Sequence, residues 1–327
     1  MQTSTSHKTK QLFGLAIKLA IVIGAAYFIY DKLAHNSQLD FKMFVQQINA
    51  SEVFNPATII ILLLATFLNW FVEIFKWKTL VKQLKHISLW ESSAQTLGGL
   101  TASLFTPNRV GEYGAKALYF PKSERKYIVG LNFLGNSAQL VATLLFGSVG
   151  FVFFMYQFGL ELPWHKIFRM AVILILISGI FLLVSQQKRF QIKGYSWTNL
   201  KGFIQRISNT IHLKNLGFSI VRYLLFSHQF YCLLLLFGLN TSYVTAMSAI
   251  ASMYLITSLI PMLFIFDVIV KGSVAVWLFG FLNVPELTIL TVVSLMWILN
   301  FVLPSILGSY FVLNFNPSFS EEKSITS

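Results

Sequence analysis

The chain has 327 residues, 55% of them hydrophobic and 11% charged, with a mean hydropathy of +0.66. A soluble domain carries about 25% charged residues, so there is too little polar surface to coat a water-soluble globule. The 25 basic residues outnumber 12 acidic ones for a net charge of +13; in so apolar a chain this excess reads as loop charge on an integral membrane protein and argues against a nucleic-acid-binding domain.

Taken in order, a short tail (1–11) with Lys8 and Lys10 precedes an apolar stretch from Leu12 to Leu33. That stretch lacks a convincing Ala-x-Ala site, so it reads as an uncleaved first span rather than a leader. A spanning helix needs about 20 mostly apolar residues. Further segments at 56–77, 127–157, 167–185, 216–239 and 286–313 meet this requirement, which gives six spans. Two more segments, 91–120 and 243–282, are apolar but broken, the first at Thr106-Pro107-Asn108 and the second near Pro261. The arms 92–105 and 108–120 reach only about 20 Å each, short of a core about 30 Å thick.

Loop charge assigns the sides. Lys76, Lys78, Lys82 and Lys85 precede the first broken segment, and Lys122, Arg125 and Lys126 follow it, so both flanks are expected in the cytoplasm. The linker 186–215 carries Lys188, Arg189, Lys193, Lys201, Arg206 and Lys214 with no acid, and is expected on the same side. The flanks of the second broken segment hold only Glu286 and are expected outside. Both segments then read as re-entrant hairpins entering from opposite faces, with both termini cytoplasmic and a second tail at 316–327. The expected fold is an all-α polytopic membrane protein with a single domain over 12–315.

The hairpins match each other. Ser103-Leu-Phe-Thr-Pro107 is followed by Glu112 and Lys116, and Ser258-Leu-Ile-Pro261 by Asp267 and Lys271. Each hairpin also sits between two spans. We therefore expect an inverted repeat, 56–157 against 216–313, a build common among secondary transporters.

The sharpest constellation is Thr106-Pro107-Asn108-Arg109-Val110-Gly111-Glu112-Tyr113-Gly114-Ala115-Lys116. Thr106 suits an N-cap and Pro107 a first helical position. A half-helix starting here would present free N–H groups and a positive dipole end to an anion. Arg109, Glu112 and Lys116 share one face, and charges at membrane depth normally face a cavity or a partner. Two uses are open: an anionic headgroup site, or an ion-pair network that pins the hairpin. Asp267 and Lys271 are the counterpart, open to the same choice. The small polar run from Ser92 to Ser103 suits either close helix packing or a wet path.

Other residues read as bland. Lys18, Glu73 and Lys76 lie near span ends and can snorkel. Arg222 and His228 are six apart and not on one face, and His228 reads as a hydrogen-bonded packing residue. Trp77, Trp90 and Trp164 suit interfacial belts. Trp197, Leu200, Ile204, Ile207 and Ile211 mark an amphipathic stretch, either a helix lying on anionic headgroups or a solvated loop. Cys232 is the single cysteine, and no metal-ligand, phosphate-loop or nucleophile motif occurs. No catalytic residue, metal or cofactor is expected, and the chain does not read as an enzyme.

Thr-Pro-Asn-Arg-Val-Gly-Glu-Tyr-x-x-Lys at 106–116 resembles the Thr-Pro-x-Arg-x-Gly-Glu-x-x-Arg/Lys motif of the lysylphosphatidylglycerol synthase transmembrane-region family, also called flippase-like domain proteins. The hydrophobic layout and length are similar to that family across nearly the whole chain. The resemblance implies that Pro107, Arg109, Gly111 and Glu112 are signature positions, and it implies a bacterial cytoplasmic membrane. The family's second motif, a Pro followed by Gly-Gly-x-Gly-x-x-Glu, is departed from: Pro261 is present, 262–270 hold no glycine, and Asp267 stands roughly for the glutamate. The aminoacyl-transfer domain of some members has no counterpart here, so lysylphosphatidylglycerol synthesis is not implied.

Residues and resemblance together point to a carrier of a phospholipid or polyprenyl-linked lipid. Its headgroup would be held by Thr106, Pro107, Asn108, Arg109, Gly111, Glu112 and Lys116, with Asp267 and Lys271 as the opposite gate. Its partners would be membrane lipids, anionic ones above all. The alternatives are an accessory or scaffold to envelope-synthesis enzymes, or a transporter of small organic anions.

Overall fold

Caps and apolar runs set the local structure. The protein is described by a computed structural model covering residues 46, 49, 51–104, 106, 110–161, 197–259 and 267–315, with backbone alone at 52, 197–201 and 267–269. The expected spans 12–33 and 167–185, both tails, Lys18, Trp164, Pro107, Asn108, Arg109 and Pro261 lie outside these residues. Among the described residues there are ten α-helices and no strand. The fold is all-α and polytopic.

Helix α1 (Pro56–Val81) is opened by Asn55, whose Oδ1 accepts from Ala57 N at 3.0 Å, with Pro56 at the first helical position. Helix α2 (Leu89–Ala102) is opened by a capping box in which Ser88 and Glu91 bond each other's backbone N–H. Next come α3 (Val110–Leu118), α4 (Arg125–Gln157), α5 (Trp197–Arg206), α6 (Asn209–Leu236), α7 (Tyr243–Leu259) and α8 (Asp267–Gly280). The last long segment is α9 (Glu286–Trp297), a π-turn (Ile298–Val302) and α10 (Leu303–Leu313). Four segments are long and apolar enough to cross a membrane: α1, α4, α6 and the composite Glu286–Leu313. They coincide with four of the six expected spans. Both broken segments are pairs of short helices, as their sequence breaks imply. With 14 and 9 residues, α2 and α3 are about 21 and 14 Å long, so neither crosses a core of about 30 Å by itself.

The long helices pack as antiparallel pairs across the segments 56–157 and 216–313. Arg222 meets Asn69 and Glu73, whereas Gln229, two turns on, meets Thr66 and the Leu62 carbonyl. Helices α1 and α6, the first spans of the two halves, are therefore antiparallel. Helix α2 lies antiparallel on α10: Trp90 stacks edgewise on Phe311, and Thr101 Oγ1 donates to Ser305 O at 2.9 Å. Helix α7 lies antiparallel on α4 in the same manner, through Gly147 against Leu255 and Gln157 Nε2 donating to Thr245 Oγ1 at 2.6 Å. Each first arm thus rests on the last span of the other half. Exchanging the segments 56–157 and 216–313 maps each of these pairings onto another.

Glycine makes both cross-contacts possible. A Cβ at Gly150 would stand 2.5 Å from that of Ala251, and one at Gly308 would run into the Leu97 carbonyl and Thr101 Oγ1. The small polar run on α2 packs on two helices: Ser92 Oγ donates to Ile74 O of α1 at 2.7 Å, and the fully buried Thr101 bonds α10.

The composite last span is central, with 72% of its apolar window enclosed against 28% for α4. Its irregularity has a local cause. Pro304 has no N–H, so the carbonyl of Asn300 four residues earlier loses its helical donor. The backbone passes through a π-turn there, and Trp70 Nε1 from α1 supplies the missing hydrogen bond at 3.1 Å.

Two surface expectations are corrected. The amphipathic stretch is helical over Trp197–Arg206, but Ser208 starts a new helix that includes Ile211. Of its described apolar side chains, Ile207 is buried against the Trp77, Leu80 and Ile128 cluster, and the Phe203 ring lies 4.8 Å from Tyr127, so these two dock on protein rather than headgroups. Trp77, expected at an interface, is 2% exposed; Trp90 is exposed as expected.

Candidate functional site at mid-span

The charges at the short helices come first. Thr106 Oγ1 accepts from Gly111 N and donates to Ser103 O, both at 2.8 Å. It thus satisfies a backbone donor in the first described turn of α3. A Cβ on Gly111 would stand 2.8 Å from that hydroxyl, which explains glycine five residues after the threonine. Glu112 and Lys116 form the expected one-turn pair at 2.7 Å, with side chains 3% and 1% exposed. Lys116 Nζ also donates to Asn132 Oδ1 at 2.9 Å and sits 4.1 Å from the Trp77 ring centroid. Trp77 Nε1 in turn donates to Gln95 Oε1 at 2.7 Å. The pair ties α3 to α1 and α4. Arg109, expected on the same face, and the Asp267 side chain lie outside the described residues.

A second buried network runs through residues that read as bland in the sequence. Glu73 and Lys76 do not snorkel. They are 6% and 1% exposed, and Glu73 Oε2 bonds both Lys76 Nζ (2.7 Å) and Arg222 Nη1 (2.8 Å). Arg222 Nε donates to Asn69 Oδ1 at 3.0 Å, Asn69 Nδ2 to Asn300 Oδ1 at 2.8 Å, and Asn300 Nδ2 to Gln229 Oε1 at 2.7 Å. Gln229 Nε2 closes the chain on Thr66 Oγ1 and Leu62 O. Asn69, Arg222 and Asn300 each occupy the midpoint of their own span. A charge at a helix centre costs about 2.5–3.5 kcal/mol on insertion scales, which gives these groups reason to satisfy one another.

Beside it is a cavity of about 320 Å³, lined by residues from both halves. Its polar wall consists of Asn69, Asn300, Gln139, Arg222 and Lys271, and its apolar wall is largely aromatic, with Trp70, Trp297, Phe226 and Tyr254. At this size it lies at the small end of ligand sites, which run about 300–1,000 Å³. Gln139 Nε2 donates to Ser219 O at 3.3 Å, which fixes its amide; its enclosed Oε1 has no partner among the described residues. Such an orphaned acceptor costs about 1–3 kcal/mol.

Of the expected site residues, Lys271 lines this cavity. Glu112, Lys116, Gly111 and Thr106 form the separate, self-satisfied cluster around α3. The sequence does not single out Asn69, Gln139 or Asn300 and reads Arg222 as bland, because the partner of each lies in another span. His228 is hydrogen-bonded as expected, to Leu224 O and Tyr243 Oη at 2.8 Å. Among the described residues no cluster of metal-ligating side chains occurs.

The comparisons agree with the layout. The family model described as Lysylphosphatidylglycerol synthase TM region matches residues 15–308. No curated protein matches the chain, and no solved structure does.

Proposed function

The chain belongs to the family described as Lysylphosphatidylglycerol synthase TM region, and from that premise we propose that it is a lipid carrier of the bacterial cytoplasmic membrane with both termini inside. Its cargo is an amphipathic anionic or zwitterionic lipid, a phospholipid or a polyprenyl-linked lipid. The observation that carries this reading is the mid-span cavity, where Arg222 and Lys271 from the second half meet Asn69 and Trp70 from the first. A headgroup fits its volume and acyl chains do not, so the chains stay in the bilayer while the headgroup crosses. Arg222 and Lys271 replace the water and counter-ions that a phosphate loses on entry. The Glu112–Lys116 pair anchors the first re-entrant arm, and the short helices are the elements that move. The protein supplies a path and no bond chemistry, so no cofactor is called for; a gradient or the lipid's own distribution supplies the driving force. The same cavity volume also suits a whole small organic anion, which is the second reading.

The test is transbilayer movement of headgroup-labelled anionic phospholipid in proteoliposomes. Wild type is compared with Arg222→Gln, Lys271→Gln, Arg109→Ala and Glu112→Gln, each checked for folding. Movement in wild type that is lost in the folded cavity variants is expected. No movement over several headgroups with folded wild-type protein overturns the carrier reading in favour of an accessory role or a solute carrier.

A further inference from the structure

Independently of what the protein carries, we infer that a phospholipid seats in a second cavity, at the end of the bundle where α1, α3 and α10 finish and α2 starts. It is a brace for the first hairpin rather than cargo, with its phosphate on Lys85 and Gln95.

This cavity has a volume of about 440 Å³, inside the usual range for a ligand site. Gln95 lines it and is 3% exposed. Its Oε1 accepts from Trp77 Nε1 at 2.7 Å, which fixes the amide, and its Nε2 has no hydrogen-bond partner among the described residues. A buried N–H of this kind needs an acceptor. Lys85, half-buried, also lines the cavity and has no hydrogen-bond or ion-pair partner among the described residues. The lining carboxylate, Glu91, is held in the α2 capping box, with Oε2 accepting from Ser88 N at 2.7 Å. Tyr119 Oη spends its proton on Ala94 O at 3.2 Å. Two donors, one of them cationic, are thus left for an acceptor-rich anion, and a phosphate supplies that chemistry.

The walls favour a lipid over a free phosphate. Trp90 and Tyr310 line the cavity, are more than half exposed and meet edgewise at 6.3 Å. Across from them the Tyr119 ring lies 4.6 Å from Phe315. This aromatic rim suits the glycerol backbone and upper acyl chain of a lipid at the membrane interface, and a free phosphate would leave it uncovered. Lys78, Lys82, Lys122 and Lys126 cluster at the same end, where they draw anionic lipid. The site also touches the anchor of the first hairpin. Gln95 holds Trp77, whose ring centroid is 4.1 Å from Lys116 Nζ, and Lys116 pairs with Glu112 at 2.7 Å.

The experiment is equilibrium binding and thermal melting of the purified full chain in detergent. The probes are phosphatidylglycerol, diacylglycerol with the same acyl chains, and soluble glycerol 3-phosphate as competitor. Wild type is expected to bind phosphatidylglycerol and not diacylglycerol, and its thermal midpoint should rise on binding. Lys85→Glu should weaken binding about tenfold and abolish the rise, and Lys85→Arg should keep both. Lys82→Glu, an exposed neighbour outside the cavity, and Lys271→Gln, in the mid-span cavity, should also keep both. Equal losses in Lys82→Glu and Lys85→Glu reduce the effect to diffuse surface charge and overturn the site. Loss in Lys271→Gln with none in Lys85→Glu puts the lipid in the mid-span cavity, which overturns the site and leaves the carrier reading standing. Equal binding of diacylglycerol, or no lipid bound by folded protein, overturns the inference, while the carrier reading is still decided by transbilayer movement. Glycerol 3-phosphate binding as tightly as the lipid overturns the lipid as occupant.

Discussion

At the scale of single residues, the buried ion pairs hold the protein together by mutual dependence. Removing one partner of a buried pair leaves an uncompensated charge and costs about 3–5 kcal/mol, while replacing both with apolar or neutral groups costs much less. Glu112→Gln and Lys116→Met should therefore each lower the thermal midpoint in detergent by several degrees, and the double variant should recover most of the loss. A double variant no better than the worse single would show that the pair is not a unit. Gly308 makes a purely steric prediction. Gly308→Ala forces a methyl group into the Leu97 carbonyl, with an overpacking cost of about 1–3 kcal/mol. Gly114→Ala, with open space around it, should leave the same melt unchanged. The Glu112–Lys116 pair is legible from its one-turn spacing. Glu73 is legible only in part: Lys76 lies one turn on, but its second cation, Arg222, lies 149 residues away in the chain.

At the scale of elements, the π-turn in the last span joins a proline to the cavity wall. Pro304→Ala restores an N–H able to bond Asn300 O, in competition with Trp70 Nε1. The expected outcome is a regular α-helical register through 298–302, with Asn300 rotated relative to Asn69 and Gln229. Altered lipid movement in proteoliposomes, with little loss of stability, would report it; unchanged transport would show that the turn's register does not govern the cavity. Trp70→Phe removes the other donor and should cost about 1 kcal/mol. Caps and breaks made the helices readable: Asn55-Pro56, the Ser88–Glu91 box and the interruption around Thr106 all act within one turn. The π-turn was not readable in this way, since Pro304 alone signals a kink without saying which side chain takes up the freed carbonyl.

At the scale of the whole molecule, the exchange of contacts between halves makes the hairpin topology testable. In a Cys232→Ser background, cysteines at Trp90 and Ser123 should react with an impermeant reagent from one side of the membrane. Cysteines at Tyr243 and Glu286 should react from the other. Labelling of positions 90 and 123 from opposite sides would defeat the first re-entrant hairpin. All four wild-type residues are exposed, so reagent access depends on the membrane and not on burial.

Composition and hydropathy by themselves determined the class, four described spans and the two broken segments, because membrane insertion depends on local length and apolarity along the chain. The motif at 106–116 likewise identified the family. Only the tertiary structure decided where the polar groups converge. Asn69, Arg222, Gln229 and Asn300 come from three separate spans, and none has its network partner within its own apolar segment. Antiparallel packing of the two halves brings them to one depth. There the low dielectric makes each depend on the others for its hydrogen bonds, and that long-range pairing is not written in any single stretch of sequence.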